Sequence, residues 1–576
     1  MIAIGMVLAL VTLRIGFLLD DYAFIAWLDG TIPRHVTPFN LYEFATGDRT
    51  AAYDMVRSGP WPWWTNLDLK VRFFRPLASA ILTFDHALFG RAPLGYHLHS
   101  LVWYFLLLAG VGLLLRCVLS PRVFALAFLM FVLAGGHAEA VGWISARHML
   151  VGAAPAVWGL VAHVYYRERG FSAGRFLAPV GMLLGLAGSE AAIGALFFWI
   201  AYELVGQGDG RTLRAKLPGA AAPLAIAGAY FIAYKIGGFG AAHNDAYFEP
   251  LSDPLRFIGA AMWRLPLLLG EMTGGTSSAF AVAFGAPPFV AAGVVALFAF
   301  AFVLRTVWPY VGKKERRALP WLGAGAVLAT TVSLGGFPGG RLLLIAGIGG
   351  FAFVATVVLA IGEKLAETSL GSGARWGLRF ARGFLVFAHL GLSPLMFLGG
   401  TDMLGRMGGS WDVDRGLDPI LGDSEPIDGK PRHVFILAAS DPAAGMYAGA
   451  VRAVRAPKTA VGWVILSMAR GTHHVKRTGP RTLVITAEPG LLYGAFEVVF
   501  RSLSEPLKVG DQVELDDAIV KVLSTDGPHP TSFEFELRNT TLDDPSFVFL
   551  MWRDGKLEPV RLAAGEHIDV PWSAGP

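Results

Sequence analysis

From residue 2 to about residue 400 the chain alternates long apolar blocks with polar connections. The blocks lie at 2–19, 98–116, 122–136, 148–166, 176–189, 191–205, 217–235, 288–305, 320–336, 342–361 and 380–399. A bilayer core is crossed by about 20 mostly apolar residues in a helix, so the pattern predicts about eleven membrane-spanning helices. Beyond about residue 430 the period shortens. Runs at 433–438, 462–467, 482–486, 512–515 and 532–537 alternate in the strand period, and Asp-Gly pairs at 526–527 and 554–555 mark turns. The stretch 442–454 reads as a helix following the first strand. The expected fold class is therefore a polytopic α-helical membrane protein with a C-terminal β-rich domain outside the cytoplasm. Residues 1–400 form the membrane domain, 401–430 a linker with Gly, Asp and Pro, and 431–576 a soluble unit that folds on its own.

Basic residues orient the spans. Arg116 and Arg122 flank one connection. Arg167, Arg169 and Arg175 fill the next alternate one, followed by Arg211, Arg214 and Lys216. The later clusters are Arg305, Lys313, Lys314, Arg316 and Arg317, then Lys364, Arg375, Arg379 and Arg382. Cytoplasmic loops carry such an excess, which puts the N-terminus in the cytoplasm and the tail outside, in a bacterial inner (plasma) membrane. Residues 1–19 lack a basic leader and a small-residue cleavage site, so they read as a retained span rather than a signal peptide. A span that begins at Met1 and carries Arg14 fits a chain whose start lies further upstream.

Composition agrees with this picture and removes rivals. The chain is 54% hydrophobic and 16% charged, against roughly 25% charged residues in soluble domains. A net charge of +4 dispersed in short clusters gives nucleic acid no footprint. Cys117 is the single cysteine, so no intramolecular disulfide forms.

The chemistry concentrates on the outer connections, two of which, 20–97 and 236–287, are long. Asp20 and Asp21 follow the first span, where a carboxylate could serve a hydroxyl nucleophile as base or simply be solvated. The first long loop carries Trp61, Trp63, Trp64, Phe73 and Phe74, which read best as an interfacial aromatic belt. The segment FFRPLASAILTFDHALFG at 73–90 brings Arg75, a candidate for bidentate phosphate binding or for interfacial snorkelling. GYHLHS at 95–100 adds His97 and His99. HAEAVGWISARHMLVGA at 137–153 crowds His137, Glu139, Arg147 and His148 into a short turn, as a substrate pocket or an ion-pair network. Glu190 sits between two spans after Ser189, and Arg341 opens the tenth span. In the tail, Tyr493, Trp552 and Trp572 are candidates for stacking on sugar or for core, and His473 and His474 read as a strand end rather than a metal site.

The order of these motifs resembles the membrane glycosyltransferases of the GT-C superfamily over roughly residues 15–365. It is most similar to the transmembrane and tetratricopeptide-repeat O-mannosyltransferases and their bacterial relatives, without the repeats. The resemblance implies an inverting transferase that moves a sugar, mannose being the sugar of those relatives, from a polyprenyl-phosphate donor to an acceptor hydroxyl. It implies a membrane lipid-linked sugar and an extracytoplasmic protein or glycan as partners, and it fixes no divalent metal requirement. The catalytic base then falls on Asp20 or Asp21, with Asp20 matching the leading acid of the motif. Arg75, His97, His137, Glu139, Arg147 and Arg341 become donor-binding candidates. Ser189 stands where a lysine is expected, which weakens a role for Glu190. The alternatives are a transporter or flippase of lipid-linked saccharide, which calls for polar breaks at mid-membrane, and a non-catalytic scaffold presenting the tail.

Overall fold

The computed structural model describes the whole chain except residues 207–211, 369, 422–431, 457–460 and 576. Each of the eleven apolar blocks contains a helix. Among the described residues, seven helical stretches are long and apolar enough to cross a membrane, and the helices Ile2–Arg14, Pro121–Val132 and Gly174–Gly188 are shorter apolar ones. The helix Ala286–Val307 turns Val295, Phe298 and Phe302 outward, Phe298 at 75% exposure. Exposed apolar surface on that scale is a lipid-facing stripe. Several helices arise inside the expected outer loops, the two longest being Pro76–Phe89 and Pro254–Gly274. Each of these two opens on a proline at its first turn, where the missing N–H costs nothing.

The basic connections converge at one end of the bundle. Lys314 donates to the Leu119 carbonyl at 2.7 Å, Arg317 to Glu168 at 2.7 Å and to the Gly206 carbonyl at 3.1 Å. Lys364 reaches the Thr306 carbonyl at 3.3 Å. Arg211 lies outside the described residues. Both long loops and the tail sit at the opposite end. There, strands β1 (Glu43–Thr46) and β2 (Lys70–Arg72) of the first loop pair antiparallel, and β2 pairs with β3 (Gly240–Ala242) of the second. The two loops thereby form one small sheet.

The tail is β-rich, as expected. Strands β4 (Arg432–Ala438) and β5 (Val461–Ile465) run parallel, so they need a crossover. A π-turn, Ala443–Tyr447, and a helix, Ala448–Arg455, supply it. The remaining strands are β6 (His473–Arg477), β7 (Thr482–Ala487), β8 (Gln512–Glu514), β9 (Ala518–Asp526), β10 (His529–Leu537), β11 (Phe547–Arg553), β12 (Lys556–Pro559) and β13 (His567–Val570). They complete a four-stranded sheet ordered β12-β11-β4-β5 and a six-stranded one ordered β13-β6-β7-β10-β9-β8. The sheets meet through Phe435, whose ring lies 4.8 Å from Phe535 and 5.7 Å from Phe549. Asp554 and Gly555 both take positive φ, +50° and +81°, which suits the tight turn between β11 and β12.

The tryptophans of the first loop are not an interfacial belt. Trp63 and Trp64 are 1% and 0% exposed, in the same apolar core as the tail's strands. Trp63 donates its indole N–H to the Leu466 carbonyl at 2.9 Å and lies 5.1 Å from the Phe533 ring. Asn66 N–H donates to the Phe500 carbonyl at 2.8 Å, and Arg501 returns a bond to the Trp64 carbonyl at 2.6 Å. A protein core desolvates an indole completely and still gives its N–H a carbonyl, so both halves of the side chain are satisfied. Where a linker was expected, residues 401–421 are helical. The helices Ser410–Gly416 and Asp418–Leu421 bury Val413, Leu417 and Leu421 against the tail. Asp414 and Asp418 are bound there by Arg452 and Arg455, with Arg452 Nε 3.1 Å from Asp414. The rest of that stretch lies outside the described residues.

Candidate active site

The chain leaves the first apolar helix through Leu19, a non-glycine residue at φ +40°. That turn starts the helix Asp20–Leu28 with both acids in its first turn, where carboxylates are favoured by the helix dipole. The two then diverge. Asp21 is 2% exposed and saturated: Oδ2 accepts from Leu18 N–H at 2.9 Å, and Oδ1 accepts from Ser145 N–H at 2.7 Å and from the Ser145 hydroxyl. It ties the first loop to the turn after the third apolar block. Burial pushes Asp21 up to about 7 against the pull of those donors. Among the described residues, the Asp20 carboxylate accepts one bond, from the hydroxyl of Tyr447 in the tail. Burial raises Asp20 above its ordinary 3.8, and the Tyr447 bond offsets part of that.

Asp20 stands in the wall between two cavities. The first, about 260 Å³, is the more polar of the two and faces the helical bundle; its lining includes Tyr42, Arg75, His148, Glu190, Tyr247 and Arg341. The second, about 530 Å³, lies between the first loop and the tail and is lined by aromatic and aliphatic residues including Trp27, Trp61, Trp463 and Phe500. Asp20, Phe44, Tyr247 and Phe337 line both. The second cavity's charged lining residues are Asp20 and Asp54, with no cation among the described ones.

Both arginines of the first cavity are held by carboxylates. Arg75 caps the helix Pro76–Phe89 and grips Glu190 with two prongs, Nε to Oε2 at 2.9 Å and Nη2 to Oε1. Its guanidinium also lies 4.3 Å from the Phe73 ring centre and 5.1 Å from that of Tyr42. Arg341 donates from Nη1 to Glu139. That pair depends on a close backbone approach: a Cβ on Gly340 would stand 2.4 Å from Gly136 Cα, so the segment before Arg341 can lie on the turn before Glu139 because both positions are glycine. Each guanidinium has five N–H donors in a fixed fork, so donors remain for a further anion. His148, whose Nδ1 is 3.1 Å from Ser189 Oγ, completes this wall.

Of the six expected donor-binding residues, Arg75 and Arg341 line the first cavity, Glu139 stands behind Arg341 without lining it, and three lie elsewhere. Arg147 is 1% exposed and binds Asp85 and the Tyr96 carbonyl, the latter at 2.9 Å. Asp85 also meets His99 Nδ1 at 2.6 Å. His97, fully buried, faces the Gly16 carbonyl at 3.4 Å, and His137 meets the Tyr104 hydroxyl at 3.1 Å. None of the three lines either cavity. They tie apolar helices together, because a polar group buried among them needs a partner. Of the tail's aromatic candidates, Trp552 is core, Tyr493 stacks on His529 at 3.7 Å, and Trp572 donates to the Ser440 carbonyl. His473 and His474 hold Ser467 and Asp569. Sequence reading missed Tyr447 and Tyr247. Nothing in the tail's strand pattern distinguishes Tyr447, since its role depends on docking against a helix 427 positions earlier.

No protein-family model matches the chain, and no curated protein matches it. Among solved structures it is similar to the archaeal oligosaccharyltransferase AglB from Archaeoglobus fulgidus, in complex with an inhibitory peptide and a dolichol-phosphate. Identity there is 13% with a TM-score of 0.41, over 80% of this chain and 64% of that one. It is also similar to ArnT from Cupriavidus metallidurans bound to undecaprenyl phosphate, at 15% identity and a TM-score of 0.37, over 75% of this chain and 81% of that one. The chain thus spans less than two thirds of the oligosaccharyltransferase's length. Both TM-scores lie below 0.5, so the functional reading rests on the site's own geometry.

Proposed function

We propose that this chain is an inverting glycosyltransferase that moves a sugar from a polyprenyl-phosphate donor to an acceptor hydroxyl on the outer side of the membrane. The reading rests on one observation: Asp20 separates a cavity holding two arginines from an aromatic and aliphatic one with no cation among its described lining residues. The donor's phosphate belongs with Arg75 and Arg341, and the acceptor approaches from the side of the tail. The Asp20 carboxylate takes the acceptor's proton as the acceptor oxygen attacks the anomeric carbon. The bond from that carbon to the phosphate oxygen breaks, and its electron pair leaves with polyprenyl phosphate. The guanidiniums meet the charge that develops on the leaving phosphate. Attack from the face opposite the leaving group inverts the centre. Mannose is the sugar that the sequence resemblance favours, and an extracytoplasmic protein or glycan the acceptor.

Binding of undecaprenyl phosphate to the purified full chain tests the donor side. Arg341→Ala should weaken it by roughly tenfold or more, the scale of a lost charge-assisted pair. Equal binding by the variant and the original chain would remove the phosphate site from this cavity.

A further inference from the structure

Tyr447 is the one side chain donating a hydrogen bond to Asp20 among the described residues, and it comes from the tail. Its ring is 4% exposed and meets Phe496 edge-on at 5.8 Å. It ends the π-turn Ala443–Tyr447 and so opens the helix Ala448–Arg455. That helix buries Ala450, Val451 and Val454 in the same apolar cluster as Phe24, Ile25 and Trp27 of the helix that begins at Asp20. The salt links from Arg452 and Arg455 to Asp414 and Asp418 clamp its far end. The hydroxyl is therefore aimed by packing on two elements.

We infer that Tyr447 is a positioning residue for the catalytic base, so that the C-terminal domain completes the active centre rather than only presenting an acceptor. This deepens the proposed function and rests on Asp20 being the base. A carboxylate free to rotate would spread its two oxygens between the cavities. With Oδ1 held by the phenol, the other oxygen is left to take the acceptor's proton. The bond also favours the ionised form, which is the form a base needs. The remaining ionisable groups around Asp20 are its neighbour Asp21, Tyr247 from the second loop, Tyr42, Arg75, His148, Glu190, Tyr234, Glu249 and Arg341 in the polar cavity's lining, and Asp54 in that of the second cavity. Among the described residues, the side chain hydrogen-bonded to the Asp20 carboxylate is that of Tyr447.

The test needs no substrate. Infrared difference spectra of the full chain in detergent, original minus Asp20→Asn, isolate the Asp20 carboxyl band and its titration midpoint. Tyr447→Phe keeps the ring and removes the donor, and its midpoint should lie above that of the original chain. Phe496→Leu loosens the ring's packing and keeps the hydroxyl, and its midpoint should stay in place. An unmoved midpoint in Tyr447→Phe, or an equal rise in both variants, overturns the inference. If Asp20→Asn is inactive in transfer while Tyr447→Phe leaves the midpoint unmoved, the base stands and only the positioning role falls. If Asp20→Asn transfers normally, the base itself is lost.

Discussion

Asp20 and Asp21 are adjacent in sequence and differ in surroundings: Asp21 accepts from Leu18 and Ser145, whereas Asp20 borders both cavities and, among the described residues, accepts from Tyr447 alone. Replacing Asp21 by Asn leaves one carbonyl oxygen for donors that now approach two oxygens. One buried N–H or O–H loses its acceptor, at a cost of about 1–3 kcal/mol. Thermal melting of Asp21→Asn should fall accordingly, while transfer per folded molecule survives in large part.

Arg147 and Arg341 should separate folding from binding. Arg147 is sealed against Asp85, and removing one partner of a buried pair costs about 3–5 kcal/mol. Arg147→Ala should therefore yield little folded protein, or protein with a much lower melting temperature. Arg341→Ala, at the rim of the polar cavity, should melt near the original chain and lose polyprenyl-phosphate binding.

Trp63→Ala removes a fully buried indole and its bond to Leu466. Such truncations cost about 3–5 kcal/mol. Melting of the full chain should fall by an amount on that scale. By the same argument, residues 432–576 expressed alone should be markedly less stable than within the full chain, because Trp63 and Trp64 fill their core from outside.

The helical half of the molecule was legible because lipid demands unbroken apolar runs, and the strands at 482–487 and 529–537 because one face is buried and the other is not. Loop residues gave a poorer signal. Arg75 and Arg147 are both arginines beside a span, yet one lines the polar cavity and the other locks an aspartate inside the bundle. The sequence spacing is compatible with either. Trp63 was misread for a related reason: an aromatic cluster in an outer loop suits a membrane surface as well as a second domain. Which one it meets depends on a partner hundreds of residues away.

The pH dependence of transfer should carry the mark of Asp20. Burial raises its carboxyl and the Tyr447 bond offsets part of the rise, leaving it above 3.8. A base works when ionised, so the rate should climb with pH through a midpoint above the ordinary aspartate range. A rate already at its plateau near pH 4 would argue that a different group takes the proton.

The most direct measurement is sugar transfer by Asp20→Asn in vesicles loaded with polyprenyl-phosphate mannose, beside its binding of undecaprenyl phosphate and its melting temperature. The substitution keeps the side chain's size and removes the charge that accepts a proton, a contribution of about 10²–10⁴-fold in rate. The account predicts transfer by the original chain, loss of transfer on that scale in the variant, and unchanged binding and melting. Normal transfer by a folded Asp20→Asn protein would contradict it.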